Sequence, residues 1–200
     1  LGYKSTIAVT MEDMIQHSRA VWRANKTAFQ VGDMPFMSYQ PSNEAAIRNA
    51  GRFLSEGGCD AVKVEGAMLD RIKAISDAGI IVMSHLGLTP QSRALLGGYR
   101  VQGKTKDEAE KILEQALALQ DAGCRFLLLE AMPRESAGRI AKELSIPVYG
   151  VGAGDLVDGQ LVILHDLIGM FFEFKSKFVK RYCEAGLMIE QALKQYAHEV

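Results

Sequence analysis

Residues 125–130 read Arg-Phe-Leu-Leu-Leu-Glu, RFLLLE: four apolar residues in a row, then a carboxylate. A short continuous apolar run between turn signals reads as a strand buried on both faces, the habit of parallel sheets. The same phrase recurs as FQVGD (29–33), AVKVE (61–65), IIVMSH (80–85) and LVILHD (161–166). Each run ends in titratable groups: Asp33, Glu65, His85, then His165 and Asp166. What precedes the strands is also repeated. SEGGCDAVKVEG (55–66), SDAGIIVMSH (76–85) and QDAGCRFLLLE (120–130) each run from an acidic residue through small residues into a strand. The unit is a helix followed by a strand.

Working outward, strands are expected at 28–33, 60–65, 80–85, 125–130, 147–151 and 161–165. Thr10 with Asp13 opens a helix whose stripe is Met11, Met14, Ile15, Val21 and Trp22, with Trp22 read as core. Ser42 opens the next, with Ala46, Ile47, Ala50, Phe53 and Leu54 on one side and Gly57-Gly58 at its end. A helix at 68–77 stops at Gly79. Thr105 and Glu108 form a capping box for a helix to Gly123, and another helix spans 135–144. Two more are expected at 174–184 and 187–198, with Phe178 and Tyr182 turned inward. The glycines of YGVGAGDLVDG (149–159) read as turn glycines rather than an anion cradle.

Alternating strands and helices imply an α/β fold with a parallel sheet. In an open doubly wound sheet, functional groups gather at one switch point. Here they follow almost every strand, as in a (β/α)8 TIM-type barrel, whose mouth collects all the strand ends. Eight strands close such a barrel, so six imply that one or two precede Leu1. Residues 1–200 thus read as a single barrel domain, incomplete at its N-terminus.

Hydrophobic residues are 48% and charged residues 24% of the chain, enough for a sizeable core. A net charge of −1 supplies no broad field for nucleic acid or a membrane surface. No apolar run is long enough to span a bilayer, and nothing in the first residues given reads as a signal peptide. Cys59, Cys124 and Cys183 are odd in number and lack metal-ligand spacing, so they read as buried, reduced thiols of a cytoplasmic protein.

Taken singly, a strand-end carboxylate is an N-cap or an ion-pair partner. Several at one rim repel one another unless a cation or a substrate offsets them. Asp33 and Glu65 are hard oxygen donors of the kind Mg2+ takes. Lys63 shares a strand face with Glu65 and needs an anion, either an internal carboxylate or one on a substrate. His85 could orient a substrate oxygen or bond a backbone carbonyl. Glu130, behind its apolar run, suits a general base in a dry place. Together these groups suit proton abstraction next to a carbonyl.

Several segments resemble one family, ketopantoate hydroxymethyltransferase. They are GDMPFMSY (32–39), AVKVEG (61–66), SHLGLTPQS (84–92), GGYRVQGK (97–104), LLLEAMP (127–133), IPVYGVGAG (146–154), DGQLVILHDLIG (158–169) and KFVKRY (177–182). The resemblance implies a (β/α)8 barrel that binds Mg2+ and takes its one-carbon unit from 5,10-methylenetetrahydrofolate. It puts the metal on Asp33 and Glu65, the 2-oxo acid against Asp33, Lys63 and His85, and the proton-accepting role on Glu130. It also implies a cytoplasmic homo-oligomer, in bacterial members often a decamer, acting in pantothenate synthesis. One family feature, a Gly-Asp-Ser segment with a further metal aspartate, is absent from 1–200. It is expected upstream of Leu1, and without it the chain is expected to be inactive. Two rivals stand beside this reading: a Mg2+-dependent carbon–carbon lyase related to isocitrate lyase, and an inactive barrel serving as an assembly subunit.

Overall fold

The structure is a computed structural model that describes residues 2–171 and 178–200. Helix α1 (Met11–Ala24) begins at a reciprocal cap: the Asp13 N–H donates to Thr10 Oγ1 at 3.2 Å, and the Thr10 N–H donates to Asp13 Oδ2 at 3.0 Å. The short strand β1 (Val31–Asp33) follows, then α2 (Asn43–Ser55), whose Ala45 N–H donates to the Ser42 hydroxyl. Next come β2 (Ala61–Glu65), α3 (Leu69–Asp77) and β3 (Ile81–Gly87). A long connection holds one 3-10 turn at Pro90–Ser92. It leads to α4 (Lys106–Asp121), which carries the expected Thr105–Glu108 capping box. Strand β4 (Phe126–Glu130), α5 (Arg134–Glu143), β5 (Val148–Val151) and β6 (Gly159–Gln160) complete the sheet. The turn helix α6 (Leu164–Leu167) and α7 (Ala185–Glu199) come last.

The chain divides into two compact units, 1–159 and 160–200. The sheet runs in strict sequence order from β1 to β6, with β1 to β5 paired in parallel. A parallel sheet whose strands add in order, with a helix between neighbours, is a half-barrel wall rather than a doubly wound sheet.

Strand alternation divides the residues of this wall. Val62, Val64, Val82, Leu127, Leu129 and Val148 face the helices and pack with Ile15, Phe53, Ile72, Ile75, Leu119 and Ile140. The opposite face carries Val31, Met83, Phe126, Leu128, Tyr149 and Val151, and its upper part carries the charges. Gly32 has no room for a side chain, because a Cβ there would collide with the Phe53 ring.

The strand expected at 161–165 does not form. Asp158 pairs both its N–H and its side chain with Val148, at 2.9 and 2.8 Å, so β6 occupies the edge of β5 before LVIL is reached. His165 and Asp166 therefore lie in a helical turn of the second unit, not at a strand end. Of the helix expected at 174–184, residues 174–177 lie outside the described residues and 178–184 are not helical. With no helix over 178–184 there is no inward stripe in that stretch, and Phe178 and Tyr182 are 58% and 69% exposed. Trp22 is also exposed rather than core, since it sits near the end of α1 with its indole laid over Gly58. Cys59 and Cys124 are buried as expected, but Cys183 is exposed. No described helix is long and apolar enough to cross a membrane.

Candidate active site

Register decides which strand-end groups meet. Asp33 lies beside Lys63 across β1 and β2. One layer higher, Glu65 of β2 is beside His85 of β3. Above that, Gly87 of β3 is beside Glu130 of β4. All of these residues except Gly87 carry side chains that turn to the face away from the helices, so three rows of the sheet stack into one charged cluster.

Lys63 is its centre. Its ammonium lies 2.8 Å from Asp33 Oδ1, 3.6 Å from Glu65 Oε1 and 3.5 Å from His85 Nδ1. Burial works against the charge, but the Asp33 and Glu65 carboxylates more than offset it and hold the Lys63 pKa above the ordinary lysine value. Burial also raises the Glu65 carboxyl, with Lys63 and His85 opposing the shift. The Glu65 side chain is almost fully enclosed, whereas that of Asp33 is 48% exposed.

An ammonium only donates hydrogen bonds, so His85 Nδ1 faces Lys63 as an acceptor and the ring proton belongs on Nε2. Nε2 points the other way, to Glu130 Oε2 at 3.2 Å. The approach is off the hydrogen-bond axis and leaves Nε2 without an aligned partner. Glu130 remains partly open, with 23% of its side chain exposed.

Three carboxylates thus surround one ammonium, an excess of negative charge that favours a further cation. Among the described residues no group of three or more His, Cys, Asp or Glu is arranged to hold a metal ion. The donors present are two hard carboxylates, Asp33 and Glu65. Asp33 Oδ1 is buried without an aligned hydrogen-bond partner, despite its closeness to Lys63. Few carboxylates supplemented by water is the habit of Mg2+, so the residues fit that ion.

Two residues to which the sequence reading gave no role enter the same cluster. Gln91 donates its backbone N–H to Glu65 Oε2 at 2.8 Å. Tyr39, fully buried, donates its hydroxyl to Gln91 Oε1 at 2.7 Å and accepts the Glu65 backbone N–H at 3.0 Å. Both lie in the quoted segments GDMPFMSY and SHLGLTPQS. Nothing in their spacing shows that a tyrosine and a glutamine fifty-two residues apart should touch.

The chain is 51% identical to the 3-methyl-2-oxobutanoate hydroxymethyltransferase of Syntrophomonas wolfei, over all of its length and 73% of the relative. It is 51% identical to the enzyme of the same name from Moorella thermoacetica, covering 75% of that protein. Among solved structures it resembles 2,3-dimethylmalate lyase, described as a PEP mutase/isocitrate lyase superfamily member. The TM-score is 0.58 at 15% identity, over 96% of this chain and 66% of the other. A phosphonomutase-like protein from Burkholderia cenocepacia gives 0.62 at 10% identity, over 96% of this chain and 79% of the other. At such identities the likeness concerns fold alone. The sequence match is of another order: the ketopantoate hydroxymethyltransferase profile aligns with residues 1–200, and the chain belongs to that family of enzymes.

Proposed function

We propose that the protein transfers a hydroxymethyl group from 5,10-methylenetetrahydrofolate to 3-methyl-2-oxobutanoate, giving 2-dehydropantoate for pantothenate synthesis. The observation that carries this reading is the contact chain Asp33–Lys63–His85–Glu130, which sets a cation beside a carboxylate base on one sheet face.

Lys63 binds the carboxylate of the oxo acid. Its raised pKa keeps it charged at neutral pH, and its closeness to Asp33 fixes where the charge sits. Asp33 and Glu65 would hold Mg2+, which when bound supplies Lewis-acid stabilisation of charge developing on the keto oxygen. Glu130 takes the proton from C3. Its Oε2 is turned to His85, leaving Oε1 for that proton. His85 orients the base through Nε2 and, through Nδ1, keeps Lys63 from swinging away. The C3 carbanion then attacks the methylene carbon brought by the folate, and water releases the product and tetrahydrofolate. The connection 88–105 borders this site, since the Leu88 N–H donates to the Glu130 carbonyl and the Gln102 N–H to that of Ala131, both at 2.9 Å. It would form one wall for the folate. A closed eight-stranded barrel, a cytoplasmic setting and a homo-oligomer such as a decamer belong to the same reading.

The lyase rival needs a reactive cysteine near the site. Burial pushes the Cys124 thiol up to about 11, and it is hydrogen-bonded to the Phe126 carbonyl, so it is inert. The inactive-subunit rival gives no reason for five titratable groups to converge. Exchange of the C3 proton of 3-methyl-2-oxobutanoate into heavy water, with Mg2+ and no folate, tests the base. Glu130→Gln should slow exchange by about 10²–10⁴-fold while the oxo acid still binds. Normal exchange in that variant refutes the assignment.

A further inference from the structure

Glu65 closes a ring on itself. Its backbone N–H donates to the Tyr39 hydroxyl oxygen, the Tyr39 hydroxyl donates to Gln91 Oε1, and the Gln91 backbone N–H returns to Glu65 Oε2. Every member is at least nine-tenths buried. The Gln91 amide is itself tied down, for Nε2 donates to the Met34 carbonyl at 2.9 Å and Oε1 also accepts from Gln40 Nε2 at 3.2 Å. The segment carrying Tyr39 is anchored from α3, where Arg71 donates to the carbonyls of Tyr39 and Gln40. Three separate pieces of chain, after β1, on β2 and after β3, are thus locked around one carboxylate.

We infer that Tyr39 and Gln91 are positioning residues for the oxo-acid site: they hold the Glu65 carboxylate in the single rotation that turns Oε1 to Lys63. Glutamate has three side-chain torsions and, in an open site, would sample several rotamers. With Oε2 fixed by Gln91, Oε1 remains 3.6 Å from the Lys63 ammonium and 4.0 Å from His85 Nδ1. Lys63 then has carboxylates on two sides, Asp33 and Glu65, and its long stem is held where an incoming carboxylate meets it. A ring of satisfied buried groups acts as a unit, so loss of one member loosens all of them. Neither residue touches the reacting carbon. This rests on the reading of Lys63 as the residue that binds the substrate carboxylate.

The test is Tyr39→Phe in the full-length enzyme, which keeps the buried ring and removes only the hydroxyl. With Mg2+ kept saturating, positioning of Lys63 is felt equally in ground and transition states, so KM for the oxo acid should rise about tenfold with kcat within about twofold. Gln91→Met should do the same. The double variant should be no worse than the more affected single one, because both break one ring. Calorimetric titration with 3-methyl-2-oxobutanoate should show the same tenfold loss of affinity without any turnover. A merely structural role lowers the active fraction instead: kcat falls and KM stays. That result, or unchanged parameters in Tyr39→Phe, overturns the inference. If the wild-type protein binds the oxo acid but transfers no hydroxymethyl group, the proposed function fails, while the titration still decides the role of the ring.

Discussion

Lys63→Met is the most informative single change, because its cost depends on pH in a direction that the site dictates. Methionine keeps the length and apolar stem of lysine and deletes the charge. Two carboxylates then lose their cation. Asp33 is half exposed and water can take over, so its share is small. Glu65 cannot be rescued in this way. Its side chain is 5% exposed and Gln91 satisfies only Oε2. A buried charge deprived of its partner costs on the order of 3–5 kcal/mol.

The sign follows from linkage. The folded-state pKa of Glu65 already lies above its ordinary value through burial, with Lys63 opposing the shift. Deleting Lys63 removes the opposition and raises it further. A carboxyl with a raised folded pKa favours the folded state below its unfolded pKa, and that advantage is lost as pH rises through the folded value. The variant should therefore be penalised most at neutral pH and above. Below about pH 4 Glu65 is protonated in both states, and only the cost of a volume-conserving swap remains, under about 1.5 kcal/mol. Urea unfolding of wild type and variant at pH 4 and pH 7.5 measures both differences. At pH 7.5 the gap should reach about 3 kcal/mol. An equal gap at the two pH values would show that Glu65 is not the group left stranded, and the electrostatic account of this cluster would be wrong.

Other changes test the frame around the site. Gly87 has φ +84°, and a Cβ there would collide with the Glu130 carbonyl oxygen. Gly87→Ala should cost more than about 2 kcal/mol in denaturant unfolding and, by displacing Glu130, lower kcat on the order of 10²-fold. Thr10→Ala serves as the contrasting case: it removes the α1 cap, so thermal unfolding should record a loss of about 1 kcal/mol with steady-state activity unchanged.

The fold was legible wherever a physical signal was local. Apolar runs bounded by glycine predicted β1 to β5 within a few residues, and the Thr10, Ser42 and Thr105 caps were read correctly because a cap is a matter of three or four neighbouring residues. LVIL misled because a short apolar run does not distinguish strand from helix, and the edge it would have paired with is taken by residues 158–160. Trp22 misled for a related reason. An aromatic on a periodic stripe is core only if something covers that stripe, and coverage is a property of the whole molecule.

The site divides in the same way. That Lys63 and Glu65 share a face follows from alternation along one strand. That Lys63 lies between Asp33 and Glu65, and His85 between Lys63 and Glu130, depends on the stagger of neighbouring strands, to which no single strand testifies. The parallel register lifts each successive charged group about one residue pair higher, from Asp33 beside Lys63, to Glu65 beside His85, to Glu130 beside Gly87. The glycine in the last row has a consequence. A Cβ at 87 would meet the Glu130 carbonyl oxygen and the Met132 side chain, so β3 and β4 approach closely there; the neighbour of the Glu130 side chain on β3 is His85, and Val151 lies beside Glu130 in the register of β5. An acidic group at the end of an apolar strand thus meets an imidazole one strand over, a contact that its own strand does not announce.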